Sequence, residues 1–541
     1  MTLRSTNLRR IASEDFDTFI VGGGINGAVS AAALAARGAS VGMIDRGDFG
    51  GFTSQASSNL VWGGFKYLEN YEFLLVRKLC VSRNRLIKSY PDNIKEIRFL
   101  ASLDETAPYS PAFATLGTAG YWAIGSFATR PPAHRTPAKI KELEPIIDTS
   151  GLRGGIEYSD AYLTDNDARF VFGFARAAMN VGAAVANYVE LLAADRNGGK
   201  WDLTLLDRET GDTLIAHANV LINAAGPHAD VVNEMYGVTT DHRLVFSKGI
   251  HLIVPRLGTG KRVLAFFDDT ERLFYVIPMG IRSVIGTTDT RTADPAEGVT
   301  DGDRQFLLDQ INARLDLETP LTAADIISER VGVRPLVVDA KGDDRADSDW
   351  TALSRKHVIE ADPRAHVITI FGGKLTDCLN VGEEVADEVE RLGVILDPDE
   401  GDWFGEPSAS TRDEFLRQAR LMGLAELRSK RNDEPVSERL WRRYGLRAFS
   451  MLEAIRDDPS MANDIMENAD YLRVELHLAA TTEMVTRLED FLKRRSKIAL
   501  VVPHDTVATS DGLFEACQIL FGDDAHRRID EYFGEEAVHD L

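Results

Sequence analysis

The sequence predicts an α/β protein with a βαβ dinucleotide-binding unit first, a second β-sheet after it, and an all-helical domain at the end. Three observations support this prediction. Residues 16–46, FDTFIVGGGINGAVSAAALAARGASVGMIDR, read as strand, glycine-rich turn, helix and strand. Short β-branched runs recur between residues 244 and 371. From about Asp402 onward, apolar residues recur at helical spacing.

The first unit carries Gly22, Gly24 and Gly27 in the spacing G-x-G-x-x-G. Gly22 permits the tight turn, Gly24 lets a pyrophosphate approach the backbone, and Gly27 lets the helix pack closely on the strand. Asp45 ends the second strand, where a carboxylate can accept hydrogen bonds from ribose hydroxyls. This unit alone does not separate FAD from NAD, but Asp45 disfavours the 2′-phosphate of NADP.

Composition excludes several classes of protein. The 541 residues are 44% hydrophobic, which is enough for two or three domains, and the net charge of −23 argues against nucleic acid as a partner. The same charge disfavours broad adhesion to an anionic membrane. Cys80, Cys378 and Cys517 lie far apart, so we expect reduced thiols and no metal site. The first residues lack the apolar core of a secretory signal, which favours a cytoplasmic protein.

Residues 111–129 are almost uncharged and rich in apolar side chains, among them Phe113, Leu116, Trp122 and Phe127. Two interpretations stay open. The segment is either part of the core or an apolar surface that faces lipid or a partner.

The middle of the chain reads mostly as strands. We expect one strand over residues 183–192, a hairpin of residues 201–207 with 213–217, and a separate strand over 219–226. The last of these ends in Ala-Ala-Gly, which suits a strand returning to the dinucleotide unit, with Gly226 close to the cofactor.

Arg334 lies between apolar neighbours in a predicted strand, residues 331–338. Such a guanidinium needs an anionic partner, which is either a ligand phosphate or carboxylate or an internal Asp or Glu. A second glycine turn, Gly372-Gly373-Lys374, follows the predicted strand 367–371 and precedes a helix over 375–392.

The C-terminal part shows helical periodicity and no internal repeat. We expect four helices, at residues 408–428, 436–454, 463–473 and 474–500.

Several blocks together resemble the FAD-dependent glycerol-3-phosphate dehydrogenases. They follow the family's order along nearly the whole chain, and the resemblance favours FAD over NAD. The matching stretches are GGGINGA from residue 22, TSQASSNLVWGGFKYLENYEF from 53, GIHLIVP from 249, VIPMGIRSVIGTTDT from 276, GVRPL from 332, FGGKLT from 371, RRYGLR from 442 and EMVTRLEDFLKRRS from 483.

The resemblance implies a particular architecture. An FAD-binding Rossmann-like domain of the glutathione-reductase and D-amino-acid-oxidase type would interleave with a substrate-binding sheet within residues 1–400. That sheet would come mainly from residues 90–165 and 240–340, and residues 401–541 would form the helical domain. The FAD would be held noncovalently, since no His or Cys stands in a recognised flavin-linking context.

The resemblance also implies the reaction and the residues of the site. The reaction would be the oxidation of a secondary alcohol to a ketone, with hydride transfer to the flavin. Three residues would be catalytic: His251, Arg334 and Lys374. Substrate would contact Trp62, Lys66, Tyr67, Arg334 and Arg355. The cofactor would contact Gly22, Gly24, Ile25, Asn26, Gly27, Asp45, Arg46, Thr53, Ser54, Ser57, Val189, Ala225, Gly226, Gly373, Lys374, Leu375 and Thr376.

One loop departs from the family. The family's pattern in this loop is His-Gly-Gly-x-Arg-Tyr-Leu. This chain has Trp62 in place of the histidine and Lys66 in place of the arginine. Lysine keeps the charge but lacks arginine's planar two-point contact, and tryptophan adds bulk. We therefore expect a phosphorylated polyol as substrate, either sn-glycerol 3-phosphate or a related compound.

The resemblance leaves the partners open. Electrons would pass to a quinone or to oxygen, and a homodimer and peripheral contact with the inner face of the cell membrane both fit it. Two other functions remain as alternatives: an amine or amino-acid oxidase on the related flavin fold, or a flavin-binding protein without turnover.

Overall fold

The computed structural model describes residues 2–69, 71–268, 272–341, 356–427, 434–466 and 469–534. Its strands are β1 Asp15–Val21, β2 Val41–Ile44, β3 Leu60–Val61, β4 Ile94–Leu103, β5 Ala133–Arg135, β6 Gly154–Leu163, β7 Ala184–Ala186, β8 Val189–Asn197, β9 Lys200–Asp207, β10 Thr213–Asn223, β11 His242–Pro255, β12 Val263–Phe267, β13 Leu273–Met279, β14 Arg282–Gly286, β15 Thr290–Thr292, β16 Ser328–Asp339, β17 Val358–Asp362 and β18 Val367–Phe371.

Helices lie between and after these strands. They are α1 Leu3–Ser13, α2 Ile25–Ala36, α3 Phe73–Ser89, α4 Pro111–Ile124, α5 Pro137–Leu143, α6 Asp167–Asn180, α7 Ala229–Tyr236, α8 Asp301–Asn312, α9 Cys378–Arg391, α10 Ala409–Leu421, α11 Val436–Tyr444, α12 Ala448–Asp457, α13 Arg473–Thr482, α14 Ile498–Val501, α15 His504–Ala508, α16 Leu513–Phe521 and α17 Ala525–Phe533.

The first sheet is the dinucleotide sheet. Its order is β17-β18-β10-β1-β2-β7, and the central pairs from β18 to β7 are parallel. The alanine-rich helix α2 is almost wholly buried and packs beside α6 and α9 in one apolar cluster. Apolar residues of α1, α7, β8 and β9 join a second cluster with β1 and β10. The sheet is therefore covered on both faces, as a parallel sheet requires.

The second sheet is mostly antiparallel, in the order β15-β11-β14-β13-β12-β4-β6-β3, with β16 on β11 and β5 on β6. Alternate residues of β11 point to opposite faces. One face packs on α5 and α8. The other packs on the residues around Tyr67 and on α3. The predicted fold class, two sheets followed by an all-helical region, is confirmed.

Two strand predictions need correction. The strand predicted at 183–192 is two strands, β7 and β8, because Tyr188 between them adopts a left-handed conformation with φ of 53°. The predicted strands 213–217 and 219–226 are one strand, β10, whose first half pairs antiparallel with β9 and whose second half pairs parallel with β1.

Three of the predicted C-terminal helices also need correction. Residues 436–454 form α11 and α12, separated at Gly445, which has φ 52° and ψ −128°. In the segment 463–473, the described residues as far as Leu472 hold an antiparallel bridge between Asp464 and Leu472 and no helix of the predicted kind. Residues 474–500 break after α13, since Met484 has a φ of 48°, and resume as the π-helical turn Asp490–Arg495.

That π-helical turn is tied to the dinucleotide unit by a buried ion cluster. Both Arg495 nitrogens, Nη1 and Nη2, lie 2.8 Å from the Asp48 carboxylate, and Arg494 Nε lies 2.8 Å from it as well. Asn187 Nδ2 adds a fourth hydrogen bond at 2.9 Å. Although burial raises it, the two guanidinium groups hold the pKa of Asp48 below its usual range. The helical region is thereby fixed against the loop after β2.

Residues 111–129 are mainly the helix α4, and part of them is an apolar surface. Phe113, Leu116 and Phe127 are 61%, 71% and 60% exposed. Close by, at the start of α3, Tyr71, Phe73 and Leu74 are exposed too, and Arg77 Nη1 of α3 donates to Ile124 O at 2.6 Å. We call these six apolar residues the apolar face. None of the described helices is long and apolar enough to cross a bilayer.

Candidate functional site

The turn between β1 and α2 leaves no room for side chains at two of its glycines. A Cβ on Gly22, which has a φ of 108°, would lie 2.4 Å from Ala224 O, and one on Gly27 would lie 1.9 Å from Gly22 O. Gly24 begins α2 without a side-chain cap, and the first turn holds no acidic residue. The backbone therefore forms a tight cradle whose helix N-terminus suits an anion.

Asp45 is buried under this turn. Its Oδ2 accepts a hydrogen bond from Gly23 N at 2.7 Å, and its Oδ1 accepts one from Gly47 N at 2.8 Å. Burial raises the pKa of Asp45 to about 6. Each carboxylate oxygen still has a second lone pair that could accept a hydrogen bond. The contact of Asp45 with ribose hydroxyls stays a prediction.

The loop after β2 runs past the same helix end. Ser54 Oγ accepts from Ile25 N at 3.1 Å, and Thr53 Oγ1 donates to Val333 O at 2.7 Å. Ser57 N donates to Asp167 Oδ2 at 2.9 Å. These contacts join the loop to α2, to β16 and to α6.

The other predicted cofactor residues lie at the edges of this region. Val189 is buried and donates its amide to Asp45 O at 2.8 Å. Arg46 Nη2 lies 2.9 Å from His228 Nε2. Ala225 N donates to Asn223 Oδ1 at 3.2 Å, and Gly226 follows with a φ of 58° and open space at its Cα.

The second glycine turn meets the first through Asn26. Asn26 Nδ2 donates to Gly372 O at 2.9 Å, and a Cβ on Gly373 would lie 3.0 Å from Asn26 Oδ1. Within the described residues, Asn26 Oδ1 is buried and accepts no hydrogen bond. A buried acceptor between two glycine turns fits a ligand that supplies a donor. The cradle, the helix N-terminus without an acidic residue and this oxygen together fit FAD.

After Gly373 the chain returns toward the substrate side. Lys374 Nζ makes a short hydrogen bond to Tyr67 Oη and lies 3.9 Å from the centre of its ring. Leu375–Asp377 is a 3-10 turn, in which Thr376 is buried, and α9 follows it. The predicted helix 375–392 therefore begins three residues later than expected. Lys374 therefore connects the predicted cofactor residues of the glycine turns with the predicted substrate residue Tyr67.

Tyr67 belongs to the aromatic loop, residues 62–68. Its ring centre lies 6.1 Å from that of Trp62. Gly64, with a φ of 84°, starts the 3-10 turn Phe65–Leu68, which holds Lys66 half-buried. Three predicted substrate residues, Trp62, Lys66 and Tyr67, thus lie together in this loop. A fourth, Arg355, falls outside the described residues.

Facing this loop, the second sheet presents one row of side chains from β11 and β16. Directly opposed positions share a face. Arg334 opposes Ser247, Gly332 opposes Gly249, and Arg330 opposes His251. The sheet thus brings the predicted residues Arg334 and His251 to one face.

Arg334 lies flat over Gly249, where a Cβ would come within 2.1 Å of its guanidinium. It donates to Thr287 Oγ1 at 2.9 Å and to Asp289 Oδ1 at 3.2 Å. Of the two partners considered for this guanidinium, the internal carboxylate is therefore present. The Arg334 side chain is still 23% exposed, so a ligand anion can reach the guanidinium.

His251 is 3% exposed, and neither ring nitrogen has a hydrogen-bond partner among the described residues. Burial, followed by the charges of Arg334 and Arg330, lowers the pKa of His251 to about 3. The imidazole is therefore neutral at physiological pH and holds one lone pair for a donor.

The sequence interpretation missed two residues of this row. Arg330 is buried and donates to Ser57 O at 2.9 Å and to Asn59 Oδ1 at 2.6 Å. Tyr275 opposes Gly286, which in turn opposes His251. The spacing of two between positions 330, 332 and 334 was the available signal for Arg330. Tyr275 depends on a strand order that periodicity does not provide.

Comparison with known proteins agrees with this geometry. A family model described as FAD dependent oxidoreductase matches residues 17–387, and one described as the C-terminal domain of alpha-glycerophosphate oxidase matches residues 403–528. Glycerol-3-phosphate dehydrogenase 2 of Mycobacterium bovis is 31% identical over 96% of this chain and 87% of its own. The chain belongs to the family of FAD-dependent glycerol-3-phosphate dehydrogenases. It is an FAD-dependent oxidoreductase.

Three further proteins are similar to this chain over different shares of its length. The D-erythritol 1-phosphate dehydrogenase of Brucella abortus is 32% identical over 72% of this chain and 76% of its own. The glycerol-3-phosphate dehydrogenase of Bacillus halodurans, solved with FAD, superposes with a TM-score of 0.74 at 22% identity, covering 98% of this chain and 96% of its own. A glycine oxidase of Geobacillus kaustophilus covers only 71% of this chain, with a TM-score of 0.52. The dehydrogenase fold is therefore shared along nearly the whole chain, whereas the glycine oxidase, of which 97% is covered, matches 71% of this chain.

The cradle predicts the effect of a single methyl group. Gly27→Ala places a Cβ against Gly22 O, so the turn must open, and we expect FAD retention to weaken at least about tenfold. Gly173→Ala is the matched control, because nothing lies within 4 Å of that position and it is an exposed site inside α6. The measurement is flavin released by acid per chain. Equal flavin in both variants would contradict the cradle, and colour retained in the acid pellet would contradict noncovalent binding.

Proposed function

We propose that this enzyme oxidises the secondary alcohol of sn-glycerol 3-phosphate or a related polyol phosphate to the ketone. The observation that carries the proposal is His251, a buried neutral imidazole without a hydrogen-bond partner among the described residues, beside the part-exposed Arg334. An alcohol donor and a phosphate anion match these two groups. The relatives named for glycerol 3-phosphate and D-erythritol 1-phosphate support the same substrate class.

In this proposal each residue has a separate task. Arg334 binds the phosphate and thereby sets the distance from the phosphate to the reacting carbon. His251 accepts the hydroxyl proton as the O–H bond breaks and the C=O bond forms. Bound FAD supplies the two-electron oxidant that takes the hydride from the same carbon. Lys374, held by Tyr67, places a positive charge beside the site, where it stabilises the negative charge that arrives with the hydride.

A base with a low pKa is sufficient for this reaction. An alcohol is a weak acid, but its proton becomes strongly acidic as the hydride leaves the carbon, because the product is then a protonated ketone. Proton transfer therefore accompanies or follows hydride transfer, and His251 needs only to be neutral and correctly placed. A bound phosphate dianion also offsets the charge of Arg334, which raises the pKa of His251 while substrate is present.

The aromatic loop bears on which polyol phosphate is preferred. Trp62 and Lys66 replace the family's His and Arg, so a bulky ring and a single-point cation meet the substrate. A cation of this kind tolerates an anion at varied distance. This favours a substrate larger than the three-carbon compound, such as a four-carbon polyol phosphate.

The direct test is anaerobic bleaching of the oxidised flavin by a panel of glycerol 3-phosphate, erythritol phosphates, glycine and other amino acids, and buffer. We expect reduction by a polyol phosphate alone. Arg334→Ala should retain flavin but lose tens-fold to thousands-fold in kcat/KM, as expected for loss of a charge-assisted contact worth about 2–5 kcal/mol. Bleaching by amino acids would support the oxidase alternative, and bleaching by nothing would support a flavin protein without turnover.

The lowered pKa of His251 predicts the pH dependence. Because the pKa falls from 6.5 to about 3, the proton-accepting form persists throughout the neutral range. A bound phosphate offsets the charge of Arg334, but burial, the largest cause of the lowered pKa, persists, so the rate of flavin reduction at saturating substrate should stay constant from pH 8 to pH 6. A histidine with an unshifted pKa would lose roughly three quarters of its neutral form by pH 6. His251→Gln should lower the rate about 10²–10⁴-fold, and a fall near pH 6.5 found in the wild type alone would contradict this assignment.

We also propose that the apolar face contacts a lipid surface and that the reduced flavin passes its electrons to a quinone there. The support is six exposed apolar side chains on adjacent segments, flanked by basic residues such as Arg77 and Lys78. Because the chain carries a net charge of −23, zwitterionic lipid is the suitable probe.

Co-sedimentation with phosphatidylcholine vesicles tests this contact. We expect the wild type to bind and Leu74→Ser with Leu116→Ser to bind at least about tenfold more weakly, since each removes apolar area from the interface. Ile395→Ser is the control, because Ile395 is 93% exposed outside the apolar face. Equal sedimentation of all three proteins would overturn the proposal.

A further inference from the structure

The aromatic loop is held by a buried carboxylate in the second sheet. Asp160, in β6, has no exposed surface. Its Oδ1 accepts a hydrogen bond from Gly63 N at 3.1 Å and from Arg83 Nη1 at 2.6 Å. Tyr121 Oη lies 2.9 Å from each carboxylate oxygen. The three donors come from the loop, from α3 and from α4.

Gly63 fits this cluster without any spare volume. A Cβ at that position would lie 2.1 Å from Tyr121 Oη, 2.9 Å from Cys80 Sγ and 3.1 Å from Arg83 Nη1. The loop backbone is therefore seated directly on the ion pair, and its position depends on where these side chains are.

Two further sets of contacts stabilise this arrangement. Phe65 packs against the rings of Tyr121 and Tyr158, at 5.4 Å in each case. The remaining Arg83 nitrogens, Nε and Nη2, donate to Asn84 Oδ1 at 3.1 and 2.9 Å. The guanidinium thus has little freedom to turn, and Asp160 stays aimed at the loop amide.

The buried ion pair of Asp160 and Arg83 holds a loop that carries three predicted substrate residues. Trp62 precedes Gly63 directly, and Lys66 and Tyr67 follow within one turn. Any shift of Gly63 moves all three side chains relative to the face that carries His251 and Arg334. A displacement of about 1 Å in a positioning element is enough to cost a large factor in turnover.

We propose that Asp160, Arg83 and Tyr121 are positioning residues that fix the aromatic loop and so set the affinity for the polyol phosphate. The inference rests on the proposed function. It assigns to α4, the helix that carries part of the apolar face, a second task on its inner side.

Tyr121→Phe is the sharpest test, because it removes one hydroxyl and leaves the ring packing on Phe65 intact. We expect KM for the reducing polyol phosphate to rise about tenfold, with kcat changed less than about twofold, since the hydrogen bonds that the hydroxyl donates to the Asp160 carboxylate and accepts from Arg83 Nη1 are lost. Tyr236→Phe is the matched control. Its hydroxyl is also buried but has no hydrogen-bond partner among the described residues, so KM should not change.

A double-mutant cycle separates positioning from general destabilisation. If Tyr121 acts through the loop, Tyr121→Phe should raise KM much less in a Lys66→Met background than in the wild type. Thermal unfolding and flavin content of each variant are measured alongside. The more severe Asp160→Asn should raise KM further than Tyr121→Phe.

The outcomes distinguish the two proposals. A wild type whose flavin no polyol phosphate reduces overturns the proposed function. A wild type that is reduced, with KM unchanged in Tyr121→Phe, overturns only the positioning role. Multiplicative effects of Tyr121→Phe and Lys66→Met overturn it too, because independent sites do not act through one loop.

Discussion

The cofactor region depends on the buried cluster of Asp48 with Arg494 and Arg495. Asp48 follows Asp45 by three residues, and its partners lie about 450 positions away in the π-helical turn. Removing one partner from a buried ion pair costs about 3–5 kcal/mol, because the other charge is left without compensation. Within the folded protein, each of these buried charges therefore depends on its partners staying in place. Together with other buried pairs, among them Arg169 with Glu483 and Arg443 with Asp165, this cluster fixes the helical region against the dinucleotide unit.

Charge around the reacting face follows a pattern opposite to that of the whole molecule. The chain carries a net charge of −23, yet Arg330 and Arg334 lie beside the neutral His251. An acidic surface repels anions in general, whereas this local group of cations attracts them over a short range. Asp289 and Asp167 moderate these cations, at 3.2 Å from Arg334 and 3.8 Å from Arg330. For the proposed polyol phosphate, the site thus offers cations whose charge is partly compensated before the anion arrives.

Local patterns predicted the parts of the fold that local physics determines. The G-x-G-x-x-G turn, the strand around Arg334 and the turn before Lys374 were all predicted from spacing and composition, and the family blocks supplied FAD. Non-local facts could not be obtained in this way. Asp289 as partner of Arg334, Arg330 opposite His251, and Asp160 beneath Gly63 each depend on strand register. The break at Met484 was not predicted either, because the residues after α13 continue a helical pattern. The ion pairs of Arg494 and Arg495 with Asp48 are non-local contacts that this pattern does not show.

The continuity of β10 has a consequence for biosynthesis. Gly22 closes against Ala224, about 200 residues later, and Asn26 reaches Gly372 about 350 residues later. At roughly 5–20 residues per second, the ribosome needs tens of seconds to deliver the second half of the nucleotide cradle after the first. The early βαβ unit therefore waits with its central strand unpaired on one side, a state open to wrong pairing. Loading of the flavin at the complete cradle is consequently a late event, open only to chains that extend beyond Gly373.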